Sequence, residues 1–192
     1  ESKLEVLNNA ALHFYLEDST LSYPKPYMPD TISVGDLIVG YPLNPLPEEF
    51  DKFMEKSKTV LISFGSYIDY LDVLIYKKFC TAIKMLPDVK FIWRSKNSKV
   101  CGDILSNVLF RSWIPQNDLL ADSRLNLFIT HGGYNSLMES VYHATPVIVF
   151  PLMGDQVNMA SVAVGKTYGL EMDLGNWEAE ELVKNIKQVM EN

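Results

Sequence analysis

The sequence predicts an α/β fold: a doubly wound, Rossmann-like parallel sheet with helices on both faces. Two observations predict it. Short continuous runs rich in β-branched and aromatic residues recur, "TVLISF" at 59–64, "KFIWR" at 90–94, "NVLF" at 107–110, "LNLFIT" at 125–130 and "PVIVF" at 146–150, as expected of strands buried on both faces. Several stretches between and after them place apolar residues at three- and four-residue steps, so strands alternate with amphipathic helices and the connections are βαβ crossovers.

The elements follow in order. Six of the ten prolines lie between Pro24 and Pro47. Proline fixes φ and removes a backbone donor, so this stretch reads as an extended connection, with a domain boundary near Tyr41. Residues 1–40 are then the end of a preceding domain plus a linker, and 41–192 the α/β domain. After the first strand, Leu71, Leu74, Ile75, Phe79, Ala82, Ile83 and Leu86 mark the buried face of a helix that Pro87 ends, with Lys77, Lys78 and Lys84 on its solvated face. Further helices are expected from about 135 to 142 and from about 157 to 166. The last helix gathers Ala179, Leu182, Val183, Ile186 and Val189 on one face. Glu178, Glu180 and Glu181 at its start, with Lys184 and Lys187 later, suit the helix dipole.

Composition bounds the function. With 192 residues and 47% hydrophobic content, the chain can bury one sizeable core. A formal net charge of −7 argues against a general nucleic-acid binder, which needs cations to neutralise phosphates. No apolar run is long enough to span a bilayer, and no basic-then-apolar leader opens the chain. The chain begins at Glu1 and reads as a piece of something longer. Cys80 and Cys101 share no metal-ligand or redox spacing and read as core or partly exposed thiols.

In doubly wound sheets, ligands bind beyond the carboxyl ends of the strands, where the strand order reverses. Gly65-Ser66, Trp113-Ile114-Pro115-Gln116 and His131-Gly132-Gly133 place small or polar residues at such ends. The third opens a helix, whose unpaired N–H groups and positive dipole end favour phosphate. Ser136 offers a hydroxyl at the cap, His131 an imidazole N–H, and Glu139 lies one turn further on the same face, placed to accept from sugar hydroxyls. The same Gly-Gly also serves as a tight turn, and Asn135 or Ser136 as an ordinary cap. The spacing is neither a dinucleotide fingerprint nor a hydrolase elbow, and His131 and His143 have no metal-ligand spacing.

Taken together, "SWIPQNDLLAD" followed closely by "LFITHGGYNSLMESVYHATPVIVFPLMGDQVNMA" resembles the long signature of the UDP-glycosyltransferases. "VLISFGS" and "YPKPYMPDTISVG" resemble that family's preceding segments, so the likeness covers roughly residues 20 to 192. It implies one half of a GT-B fold, the donor-binding domain. Trp113 would then lie against uracil, with Gln116 near the uridine and Arg94 approaching the base. Ser66 and His131 would contact the diphosphate, with the Gly133 amide, Asn135 and Ser136 closing around it. Glu139 would hold the ribose hydroxyls, and Asp155 and Gln156 those of the transferred sugar.

The resemblance also implies a reaction: transfer of a hexosyl or glucuronosyl group from a UDP-sugar to a small lipophilic acceptor, with inversion. The general base is expected in an N-terminal acceptor domain, so no catalytic base is assigned within this chain and His13 is not promoted to that role. His131 would stabilise the leaving diphosphate. The UDP-sugar is a substrate, with no cofactor and no metal expected. By the same analogy the full-length protein would sit in the endoplasmic reticulum membrane, facing the lumen, while this chain alone is soluble. A non-catalytic nucleotide-sugar-binding module or sensor is the alternative reading. A UDP-sugar epimerase is disfavoured by the W-x-P-Q element with its Asp-Gln pair.

Overall fold

The computed structural model describes residues 2–39, 43–65, 71–97, 101 and 105–191, with the backbone alone at Lys3, Leu4, Asp36 and Ile38. Along the chain come α1 (Lys3–Asn9), β1 (His13–Tyr15), β2 (Thr31–Ser33), α2 (Glu48–Met54), β3 (Thr59–Ser63) and α3 (Val73–Lys84). Then follow β4 (Lys90–Arg94), β5 (Val108–Arg111), α4 (Gln116–Leu120), β6 (Leu125–Thr130) and α5 (Tyr134–Tyr142). The last elements are β7 (Val147–Val149), α6 (Gln156–Gly165), β8 (Gly169–Glu171) and α7 (Ala179–Glu191). The α/β expectation holds. Six strands form one parallel sheet in the order β5-β4-β3-β6-β7-β8. The order reverses between β3 and β6, the topological switch point of a doubly wound sheet.

Alternation along each strand builds the two layers. Val60, Ile62, Phe91, Trp93, Leu127, Ile129 and Ile148 pack with α3 and α7, while Leu61, Ile92, Phe128, Val147 and Val149 pack with α2, α4, α5 and α6. Both faces are covered, which is why these strands read as unbroken apolar runs. On the first face Phe79 meets Phe64, Trp93, Phe150 and Trp177, largely edge-on, with ring centroids 4.8–5.8 Å apart, the arrangement that aromatic quadrupoles favour. β3 and β6 are not in simple phase. Thr59 pairs with Leu125 but Val60 with Leu127, so Asn126 is one extra residue on β6, and its Oδ1 accepts from the Thr59 N–H at 3.2 Å.

The structure departs from the sequence reading at several points. Cys80 and Cys101 are not thiols: they form a disulfide across a Cα–Cα distance of 5.5 Å, joining the middle of α3 to the segment after β4. Leu74 is exposed, because it shares a helical stripe with Lys78 and Thr81 rather than with Tyr76, Phe79 and Ile83. Lys78 is only partly solvated; its ammonium lies over the Trp177 ring and bonds the Trp177 carbonyl and Glu178. The proline-rich stretch holds the short β2 and a 3-10 helix at Gly35–Ile38, and Leu21 and Val39 are buried in the α5–α6 layer. Tyr41, where composition puts a boundary, lies outside the described residues.

Candidate functional site

The ends of β3 and β6 meet at the switch point, and backbone shape there depends on glycine. Gly65 and Gly132 have φ of +77° and +83°, which other L residues rarely adopt. The imidazole of His131 lies against two glycine backbones. A Cβ on Gly65 would stand 2.7 Å from its Cε1, and one on Gly133 would stand 2.6 Å from its Nε2. The double glycine therefore does more than turn the chain: it makes room for the ring. Burial pulls the His131 imidazole below its ordinary value, and the Asp155 carboxylate partly opposes this.

Behind His131, α5 begins at Gly133, which as N-cap supplies no side-chain hydrogen bond. The N–H groups of its first turn are thus left without the usual capping partner. Ser136 was expected at the cap but sits inside the helix, buried, where its Oγ accepts from Gln116 Nε2 at 3.3 Å. The same Nε2 donates to Glu139 Oε2 at 2.6 Å. Burial raises the Glu139 carboxyl above the usual range, and the Gln116 bond partly offsets this.

A cavity of ≈ 440 Å³ opens over these groups. Of the residues expected at the site, Trp113, Gln116, His131, Gly133, Asn135 and Ser136 line it, as does Arg94. Trp113 is 69% exposed, a large flat side chain with one face to solvent. Arg94 donates to the Gly65 carbonyl and so ties the end of β4 to the end of β3. Glu139 joins the group through Gln116, and Asp155 through its influence on His131. Gln156 does not line the cavity. It is buried, and its Oε1 accepts from the Leu152 and Met153 N–H groups at 2.8 and 3.0 Å, which leaves its NH₂ as the group for further bonding. Ser66 lies outside the described residues.

The sequence reading missed two lining residues, Ser63 and Tyr134. The Ser63 hydroxyl is buried and unpartnered, and the Tyr134 hydroxyl accepts from the Asp18 N–H at 3.0 Å. Both lie within the quoted segments, "VLISFGS" and "HGGYNS", but neither was assigned a role there. A second cavity, ≈ 510 Å³, lies at the opposite ends of the strands beside Thr145, Pro146 and Tyr168. Two of its polar side chains are engaged with protein, Lys166 with the Ser19 carbonyl and Ser140 with that of Thr145, while the Tyr168 hydroxyl is buried without a partner.

An exposed indole and an uncapped helix start with an imidazole beside it line one cavity at a switch point, and Gln116 ties a half-buried carboxylate to it. Such a set can take a ligand that combines a flat base, neighbouring hydroxyls and an anion. The family model described as "UDP-glucoronosyl and UDP-glucosyl transferase" matches residues 1–192, and the chain belongs to that family. UDP-glucuronosyltransferase 3A1 of Bos taurus is 35% identical over 97% of this chain and 36% of its own length. The 2-hydroxyacylsphingosine 1-beta-galactosyltransferase of Homo sapiens is 31% identical over 100% of this chain, again 36% of its length. The chain thus spans about a third of these relatives. A Medicago truncatula protein solved with UDP-glucose superposes with a TM-score of 0.71 at 23% identity, covering 85% of this chain and 40% of that one. A UDP-glucosyltransferase from Polygonum tinctorium gives 0.67 at 22% identity, covering 88% and 40%. Fold and family expectations both hold.

Proposed function

We propose that residues 41–192 form the donor-binding domain of a glycosyltransferase that moves a hexosyl or glucuronosyl group from a UDP-sugar to a small lipophilic acceptor, with inversion. The observation that carries this reading is the set of groups gathered at one cavity: the exposed Trp113, Gln116 with Glu139 bonded to it, and His131 with the start of α5. UDP has three parts for such a set to hold: uracil, ribose and diphosphate. Trp113 stacks the base, and Glu139 accepts from the ribose hydroxyls. The first-turn N–H groups of α5, the His131 imidazole, Asn135 and Ser66 hold the diphosphate, without calling on a metal. Asp155 and the Gln156 NH₂ take hydroxyls of the transferred sugar.

In this reading the chain contributes donor placement and stabilisation of the leaving diphosphate. The base that activates the acceptor hydroxyl comes from an acceptor domain whose end is residues 1–40. The apolar surface of that segment supports a covering partner: Val6, Leu7, Phe14, Leu16, Met28 and Leu37 are each at least half exposed. The disulfide supports a lumenal location in the endoplasmic reticulum, since such bonds persist in oxidising compartments. Among the described residues no helix is long and apolar enough to cross a membrane.

Calorimetric titration of the chain with UDP, with ADP as control and His131→Ala alongside, tests the reading. Saturable UDP binding that weakens in the variant is the expected result. A folded chain that binds neither nucleotide, or both alike, overturns it.

A further inference from the structure

We propose that His143 is a positioning residue for the nucleoside half of the site: through Asn117 it fixes the short helix that carries Gln116. The inference rests on the donor-site reading above.

The helix α4 has only five residues and begins at Pro115 without a side-chain cap. So short a helix has little stability of its own, and its position must come from tertiary contacts. Leu119 and Leu120 are buried in the layer beneath α5, which fixes its depth. Its three polar residues fix its rotation, each bonded to a different place. Gln116 reaches Ser136 and Glu139 near the start of α5. Asn117 Oδ1 meets His143 Nε2 at 2.8 Å, just past the end of α5. Asp118 Oδ1 accepts from the Asn44 N–H at 2.9 Å.

Positions 136, 139 and 143 follow one another at three- and four-residue steps, so they form one stripe along α5. That stripe grips the first turn of α4 at both ends. Releasing the His143 end removes one of the three polar ties that set the rotation of α4 and lets its first turn shift about Gln116. That motion would move Trp113, three residues earlier, relative to the start of α5. The imidazole itself touches Asn117, not the cavity, so its influence is indirect.

The geometry has a signature that general loosening would not give. A ligand that uses only the start of α5 should not sense α4, whereas one that also uses Trp113 and Gln116 should. The test is calorimetry on the chain and on His143→Ala and His143→Gln, titrated with UDP and, by competition, with inorganic pyrophosphate. Thermal melts check folding. Loss of one hydrogen bond predicts UDP affinity lower by about 3- to 10-fold in His143→Ala. Pyrophosphate affinity should be unchanged, and His143→Gln, whose amide can still donate to Asn117 Oδ1, should recover most of the loss. Equal UDP affinity in parent and His143→Ala overturns the proposal alone. Parallel loss of both ligands, or no recovery in a folded His143→Gln, overturns it as well. A parent chain that binds no UDP removes the donor-site reading and this inference with it.

Discussion

Gln116 and Glu139 are bonded to each other across the α4–α5 junction, Nε2 to Oε2 at 2.6 Å, in a setting that raises the glutamate carboxyl above its usual range. A raised carboxyl binds its proton more readily folded than unfolded. Its contribution to stability is therefore complete below the ordinary glutamate value and is lost as pH rises through the folded value. Glu139→Gln keeps an acceptor for Gln116 and removes the half-buried charge. Thermal melts should show the variant more stable than the parent at neutral pH, with the gap closing in acid. UDP affinity should fall at neutral pH, because the ribose would lose a charged acceptor.

The Gly133–His131 contact predicts a specific epistasis. Gly133→Ala puts a methyl where the imidazole is, displaces the ring and should weaken UDP binding by more than about tenfold, ~1.4 kcal/mol. In a His131→Ala background the same methyl has space. Binding measured across the four proteins should then give a coupling of roughly 0.5–3 kcal/mol. Strict additivity would contradict the geometry.

His131 titrates below its ordinary value, so the opposite linkage holds for it. Its contribution to stability is intact above the ordinary histidine value and is lost as pH falls from there through the lowered folded value. His131→Gln should flatten the parent's stability loss in that window. Asp155→Asn removes the carboxylate that supports the imidazolium, so NMR titration should find the His131 transition at still lower pH. An unmoved transition would mean that the two groups do not interact.

Trp113 is predicted to matter for binding and little for folding. Trp113→Ala should weaken UDP by about 5- to 150-fold, for ~1–3 kcal/mol of base stacking. Its melting temperature should stay near the parent's because the indole is largely exposed. Trp113→Phe should fall between the two.

The disulfide is predicted to be structural. Its half-cystines are 21 residues apart and both buried. Replacing both with serine should lower unfolding free energy by about 3 kcal/mol, measured by denaturant titration. The native chain should yield no alkylated cysteine until it is reduced.

Much of the fold was legible because β3, β4, β6 and β7 are covered on both faces, and that burial writes itself as continuous apolar sequence. β8 has one large apolar residue in three, and α4 is a single turn whose polar residues serve tertiary contacts, so neither has a period to read. Six of the cavity-lining residues were legible from "SWIPQ" and "HGGYNS". The inward turn of Gln156 was not, since it depends on a loop turning at Gly154 with φ +61°. Nor was the disulfide, which requires α3 and the segment after β4 to be neighbours in space. Leu21 stands alone between polar residues, and Val39 ends an apolar run of only three, Leu37-Ile38-Val39, too short to show a period.

The extra residue on β6 has an effect at the far end of that strand. Side chains alternate between faces with a period of two, so the position of Asn126 sets the phase of everything after it relative to β3. With that residue accommodated, Ser63 stands beside Thr130, and the next residue on β6, His131, comes against Gly65. Absorb the offset into regular pairing, and β6 would slide by one place. Thr130, with its β-branched methyl, would then be carried to the level where a bare ring edge now meets glycine. A packing irregularity among Thr59, Leu125 and Leu127, at the end of the sheet remote from any ligand, therefore acts as the vernier that brings the imidazole to its mark.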